Sequence, residues 1–297
     1  MASKQAKKAT YQKENMGGDD HSQYEMLKSL ELSHEQHLIL RQHAGSRNIN
    51  FFSTAFDIEG LEYLNSLGFQ VFKSPSGEIT NYPYLRKLAS LEKPVIISTG
   101  MSTLNEVNEA IEVLTSGKLT RKDITVLHCN TQYPTPMHDV NLRAMTTIGQ
   151  ALGVAVGYSD HTLGIEVPIA AVVLGASVIE KHFTLDRNLP GPDHKASLEP
   201  SELKAMVAAI RNIEMALSGD AVKQPSPSEL ENKVIARKSI HTSRNINQGE
   251  VIREEDLIAL RPGNGISPMK WNDVVGKTAK MDFPAFHMIG TSDLGND

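Results

Sequence analysis

Cysteine is nearly missing from this chain of 297 residues: Cys129 is the only one. An internal disulfide is therefore excluded, and a reducing compartment, the cytoplasm, fits best. No run of 18 or more apolar residues is available to cross a bilayer, which argues against a membrane partner. Lys4, Lys7 and Lys8 near the start are followed by no apolar stretch, so the secretory-signal pattern is missing as well. Excess positive charge is also lacking. The net charge of −5 argues against a nucleic acid or an anionic membrane as partner, though a local basic pocket can still hold a small anion. Neither a Gly-rich dinucleotide fingerprint nor a P-loop occurs. What remains is the composition of a soluble globular protein, 40% hydrophobic and 22% charged, long enough for a large domain and a small one.

Between about residues 48 and 217, short apolar runs alternate with helix-length amphipathic segments. The runs are 49–54, 70–75, 94–99, 124–129, 154–159 and 176–183, each ending in a polar cluster. Strands that are apolar on both faces belong to a parallel sheet covered by helices. Over 102–117, Thr103 and Glu106 have capping-box spacing, Leu104, Val107, Ile111 and Leu114 form a stripe, and Gly117 supplies a stop. Over 200–219 the stripe is Leu203, Met206, Val207, Ile210, Ile213 and Leu217. This alternation predicts an α/β fold, either a barrel or an open sheet. Six strands are counted where a closed (β/α)8 barrel needs eight. Before them, 17–20 reads as a loop, one helix is expected over 24–32, and another from the cap Ser33 to about His43. Beyond Gly219 comes a linker, Lys223-Gln224-Pro225-Ser226-Pro227-Ser228, and then β-like runs at 236–243, 256–261 and 274–281, with 283–289 as a last strand. These predict a small, mostly β second domain, with Trp271 as a packing residue.

Polar clusters at strand ends fall on the face where parallel α/β barrels place their chemistry. His161, in Ser159-Asp160-His161-Thr162, and His182, in Glu180-Lys181-His182, end consecutive strands. Two neutral imidazoles that converge suit a divalent transition metal such as Mn²⁺ or Zn²⁺, with Asp160, Glu180 and Asp193 as orienting carboxylates. The alternative is that these residues merely cap strands. A second cluster joins Thr54, Lys73, Ser76, Glu78 and Ser98. An ammonium buried in an apolar strand needs an anion, so hydroxyls around Lys73 make a phosphate or carboxylate cradle. The competing reading pairs Lys73 with Glu78 or another barrel carboxylate. Tyr133 adds a further polar strand end. Cys129 has no base beside it, because His128 points to the opposite face of its strand, and it reads as a small buried side chain. The residues alone support a metal-assisted enzyme acting on a small anion and do not choose the reaction.

Five segments choose it by resemblance: Lys73-Ser74-Pro75-Ser76-Gly77-Glu78-Ile79-Thr80-Asn81 and residues 157–162, 179–185, 191–196 and 261–267. Together they resemble the sialic acid synthase family, whose members make N-acetylneuraminic, legionaminic or pseudaminic acid, and the likeness runs from about residue 3 to 283. It implies a (β/α)8 TIM barrel over 1–219, a linker over 220–235 and an antifreeze-like (SAF) domain over 236–297. It further implies a domain-swapped homodimer and condensation of phosphoenolpyruvate with an N-acetylated amino sugar. His161 and His182 would bind Mn²⁺, or Mg²⁺ or another divalent ion. Thr54, Lys73, Ser76, Ser98 and Ser159 would hold phosphoenolpyruvate, with Thr131 and Tyr133 nearby. Glu78 would handle a proton, Glu180 and Asp193 would bind sugar hydroxyls, and Arg261 of the partner's small domain would reach the N-acetyl group. Family members begin with a strand carrying a Glu and an Asn-His pair and a second ending in a Lys-Phe-Gln type motif. Neither is found here, so the expectation is a barrel lacking its first two strands. An inactive truncated homologue that serves only in binding or dimerisation is the alternative function, and a metal-dependent hydrolase or aldolase is a third.

Overall fold

The computed structural model describes residues 2–16 and 22–295; the loop expected over 17–20 lies outside them. The chain divides into two units, Met1–Ser218 and Gly219–Asp297. In the first, β1 (Phe72–Ser74), β2 (Val95–Ser98), β3 (Ile124–Cys129), β4 (Ala155–Asp160) and β5 (Ile179–Lys181) form one parallel sheet in the order β1-β2-β3-β4-β5. Each strand lies beside the next in sequence, and a helix intervenes each time: Tyr82–Ser90, Leu104–Leu114, Arg143–Leu152 and Glu166–Val173. An order that never reverses is that of a singly wound α/β sheet, without the switch point of a doubly wound one.

Alternation along the strands sends Phe72, Val95, Ile97, Ile124 and Val126 to the helix side, where they meet Leu85, Leu88, Ile111 and Leu114 in one buried cluster. The opposite face carries the polar residues. Register aligns Lys73 with Ile96 and Thr125, and sets Cys129, Ser159 and Glu180 side by side. The helix Leu104–Leu114 starts as its spacing predicts, with Thr103 and Glu106 closing a capping box.

Several expectations need correction. The run 49–54 is not a strand; only Thr54 bridges, in parallel, to Lys73. Beyond β5 a further parallel bridge joins Phe183 to Leu198, a contact no apolar run announced. The helix begun by Ser33 runs over His34–Ser46, straight through Gly45, and the one before it spans Gln23–Leu30. A further helix that the sequence reading did not anticipate is Thr10–Asn15. In Pro200–Ala216 only Met206 of the stripe is fully buried, while Val207 and Leu217 are exposed.

The second unit pairs β6 (Ser239–Thr242) with β7 (Leu257–Leu260), and β8 (Thr278–Ala279) with β9 (Leu294–Gly295), both antiparallel. Bridges His241–Met288, Ile246–Phe283 and Val251–Thr278 interleave them. Thus 283–289 contributes single bridges rather than a strand, and Ala236 ends a helix, Leu230–Ala236, instead of opening a β run. Ile240, Ile246, Ile252, Val274, Phe283 and Ile289 make the core, with Trp271 packed against it. Among the described residues no helix is long and apolar enough to cross a membrane.

Candidate active site

Lys73 is the anchor of the polar face. Its side chain is 6% exposed, and its ammonium lies 3.3 Å from Glu180 Oε2, so the carboxylate it finds is on β5 rather than Glu78. Ser159 donates its hydroxyl to Glu180 Oε1 at 2.6 Å, which engages both carboxylate oxygens. Ser98 projects from the same face, two residues beyond Ile96. It is buried, and its Oγ has no hydrogen-bond partner among the described residues. A buried hydroxyl left unsatisfied beside an ammonium is a ready donor to an anion. Ser76, in the turn Ser76–Glu78, accepts the Gly100 N–H at 3.0 Å and contacts Cys129 Sγ at 3.3 Å. A Cβ added at Gly100 would lie 2.4 Å from Thr131 Cγ2, so any side chain there would force Thr131 to shift. Thr131 thereby closes one edge of this pocket.

The two histidines converge as their spacing predicts. Their ring centroids are 5.2 Å apart. The His161 Nδ1 edge donates to the Asn130 carbonyl at 2.5 Å, leaving Nε2 as the free lone pair. Burial, the largest influence, pushes His161 down to about 4, so its imidazole is neutral at neutral pH. Asp193 Oδ2 lies 3.9 Å from His182 Nδ1, and burial holds the Asp193 carboxyl above the usual carboxylate range although His182 and His194 pull it down. Among the described residues no three His, Cys, Asp or Glu side chains form a metal cage. Two imidazoles, each with its second nitrogen facing a carbonyl or a carboxylate, nevertheless fit a divalent ion whose other ligands are water or substrate oxygens.

Tyr133 packs against both histidines. Its ring centroid is 3.9 Å from that of His161 and 5.3 Å, edge-on, from that of His182. Thr54 sits at the sheet edge, bridged to Lys73. Glu78 is not drawn to the histidines by any contact found here; its carboxylate accepts from Asn81 Nδ2 at 2.5 Å. Arg261 belongs to the second unit, where it is exposed and donates to the Ala236 carbonyl at 3.1 Å.

Two groupings escaped the strand-end pattern. Asp160, expected as an orienting carboxylate for the histidines, instead lies on the helix side of the sheet, where it and its register partner Lys181 form an ion pair at 2.5 Å with side chains 0% and 3% exposed. Asp160 also accepts the N–H and hydroxyl of Thr162, which pins the turn that presents His161. Strict alternation through Glu180-Lys181-His182 could have revealed it, because Lys181 must face away from its neighbours. The other group is Tyr11 and Asn15, for which no local signal exists.

Residues 1–223 match the model of the NeuB family, and residues 237–294 that of the SAF domain. The chain is similar to N,N'-diacetyllegionaminic acid synthase of Campylobacter jejuni, at 50% identity over 97% of this chain and 85% of that protein. It is likewise similar to the enzyme of the same name from Legionella pneumophila, at 48% identity over 96% and 80% of the two chains. Among solved structures, N-acetylneuraminic acid synthetase of Leptospira borgpetersenii resembles it with a TM-score of 0.65 at 35% identity, over 70% of this chain and 72% of that one.

Proposed function

The chain belongs to the NeuB family, the sialic acid synthases, and from that premise we propose that it condenses phosphoenolpyruvate with an N-acetylated amino sugar to give a nonulosonic acid and phosphate. The observation that carries the reading is one polar sheet face on which a buried Lys73 with serine hydroxyls adjoins two converging imidazoles. An anion cradle beside a carbonyl-activating pair is what a carbon–carbon condensation of these substrates requires. The relatives' names favour a 2,4-diacetamido-6-deoxy sugar as acceptor over N-acetylmannosamine.

In this reading Lys73, Thr54, Ser76, Ser98 and Ser159 hold the phosphate and carboxylate of phosphoenolpyruvate, next to Thr131 and Tyr133. An anion there competes with Glu180 for the ammonium and leaves Glu180, with Asp193, to accept sugar hydroxyls. His161 and His182 would hold Mn²⁺, or Mg²⁺ in its place, which when bound polarises the sugar aldehyde as a Lewis acid. The methylene carbon of phosphoenolpyruvate bonds to the aldehyde carbon, whose oxygen takes up a proton. Water adds to the resulting oxocarbenium carbon and gives its proton to Glu78 as base. The tetrahedral intermediate then loses phosphate by carbon–oxygen cleavage, forming the ketone. The wider architecture proposed with it is a wall of a (β/α)8 barrel over 1–219 that lacks the barrel's first two strands. A linker over 220–235 joins it to the SAF domain at 236–297, whose Arg261 serves a second protomer in a domain-swapped, cytoplasmic homodimer.

The test is phosphate release from phosphoenolpyruvate with each sugar and Mn²⁺. Release is expected only with a sugar present, faster with the diacetamido sugar, and abolished by chelator. Release without any sugar, or none with either sugar, would sink the proposal.

A further inference from the structure

The helix Thr10–Asn15 lies far from every strand end in sequence, yet it reaches the candidate site. The Tyr11 ring stacks on that of Tyr133, with centroids 4.9 Å apart and planes 18° from parallel. Tyr133 in turn leans on both histidines, so Tyr11, Tyr133, His161 and His182 form one continuous aromatic surface. Four residues on, the Asn15 amide donates both its hydrogens, one to the Tyr133 carbonyl at 3.2 Å and one to the Pro192 carbonyl at 2.7 Å. One side chain thus joins the loop after β3 to the loop that carries Asp193. Neither contact is of the kind a helix needs for its own stability, since six residues make little more than one turn.

We propose that Tyr11 is a wall of the acceptor-sugar site and that Asn15 is a positioning residue that holds Tyr133 and Asp193 around that sugar. The inference rests on the synthase reading and assigns a substrate class to this side of the site. An aromatic face beside carboxylates is the arrangement that receives a neutral polyol chain, with its carbon–hydrogen surface on the aromatic and its hydroxyls on the carboxylates. A second anion is disfavoured here. Tyr11 is pushed up to about 12 by burial first and by the field of Asp193 next, and the same field repels a phosphate. Lys73 and its serines serve the anionic substrate instead.

Binding by titration calorimetry to the whole Mn²⁺-loaded chain separates the two substrates without turnover. The ligands, titrated one at a time, are phosphoenolpyruvate, N-acetylmannosamine and the diacetamido sugar. Tyr11→Ala is expected to weaken the better-binding sugar about tenfold, with phosphoenolpyruvate held within about twofold. Tyr11→Phe keeps the ring and stays within about threefold for both. Asn15→Ala weakens the sugar about fivefold and leaves phosphoenolpyruvate unchanged. The inference is overturned if sugar binding is unchanged in both alanine variants, or if both substrates weaken together as a general loss of structure would make them. Wild-type chain that binds phosphoenolpyruvate but neither sugar overturns it too, and with it the acceptor half of the proposed function. Wild-type phosphate release alongside unaltered sugar binding in Tyr11→Ala overturns the inference alone.

Discussion

The two units handle buried polar groups in opposite ways. The small unit closes around an apolar core. Ile240, Ile246, Ile252 and Ile289 are at most 1% exposed, and its buried charge, Asp256, is met by Arg244 at 2.6 Å. The large unit carries a polar interior and unfinished flanks. Phe52 before the Thr54 bridge and Phe183 beyond β5 are 46% and 51% exposed. A sheet built to hold ligands gives up part of the apolar face it would otherwise bury, and its stability leans on the helix side and on specific polar pairs.

The largest expected effect tests that division. Lys181→Met removes the counter-ion of a carboxylate that is completely buried, and is expected to cost the large unit about 3–5 kcal/mol. Phe283→Ala, a pure packing loss in the small unit, should cost a similar 3–5 kcal/mol. Hydrogen exchange read strand by strand distinguishes them, with protection lost in β4 and β5 for the first and in β6 to β9 for the second. A loss under about 1 kcal/mol for Lys181→Met would show that the large unit does not depend on this pair.

A smaller contrast appears with acid. Burial, outweighing the Val140 carbonyl that accepts from its ring, holds His128 below the usual imidazole range, and burial likewise pushes His161 down, to about 4. The unfolded chain then takes up protons first as pH falls through about 6.5, and the large unit loses stability from there downward. In the small unit burial raises Asp256 and Asp293, but hydrogen bonds from Arg253 and Gly290 N–H and from side chains outweigh it and hold both below the usual carboxylate range. Their contribution is fully present above about 4 and is lost only as pH falls below it. Exchange at about pH 5.5 against about pH 7, corrected for intrinsic rates, should therefore show protection falling in β3 and β4 and holding in β6 and β7. Equal losses in both units would remove the contrast. The smallest effect is local. Thr103→Ala takes away one hydroxyl cap and should cost about 1 kcal/mol by urea denaturation, with Thr103→Ser restoring most of it.

The same contrast explains what could be read in advance. Strands β1 to β5 were legible as short runs rich in Val and Ile between helix-length segments, and Lys73 stood out as a charge within one of them. The pairing of His161 with His182 followed from consecutive strand ends. The run 49–54 has the composition of a strand, but a strand also needs a neighbour to pair with, and beside Lys73 only Thr54 finds one. The helix expected to end near His43 runs on through Gly45 to Ser46, because one unfavourable residue in its last turn costs only about 1 kcal/mol. Tyr11 and Asn15 were illegible for a different reason. Their role depends on loops more than a hundred residues away, and no local period encodes that. Glu78 remains where its motif puts it, in a turn facing Asn81.

The unreversed strand order also bears on the chain's history before it is whole. Every strand of the large sheet finds its neighbour one βα step earlier, so the wall can grow unit by unit as the polypeptide emerges, with only short loops to close. The small unit has no such option. Its bridges join Ile246 to Phe283 and His241 to Met288, so it stays unassembled until nearly its last residue has been made.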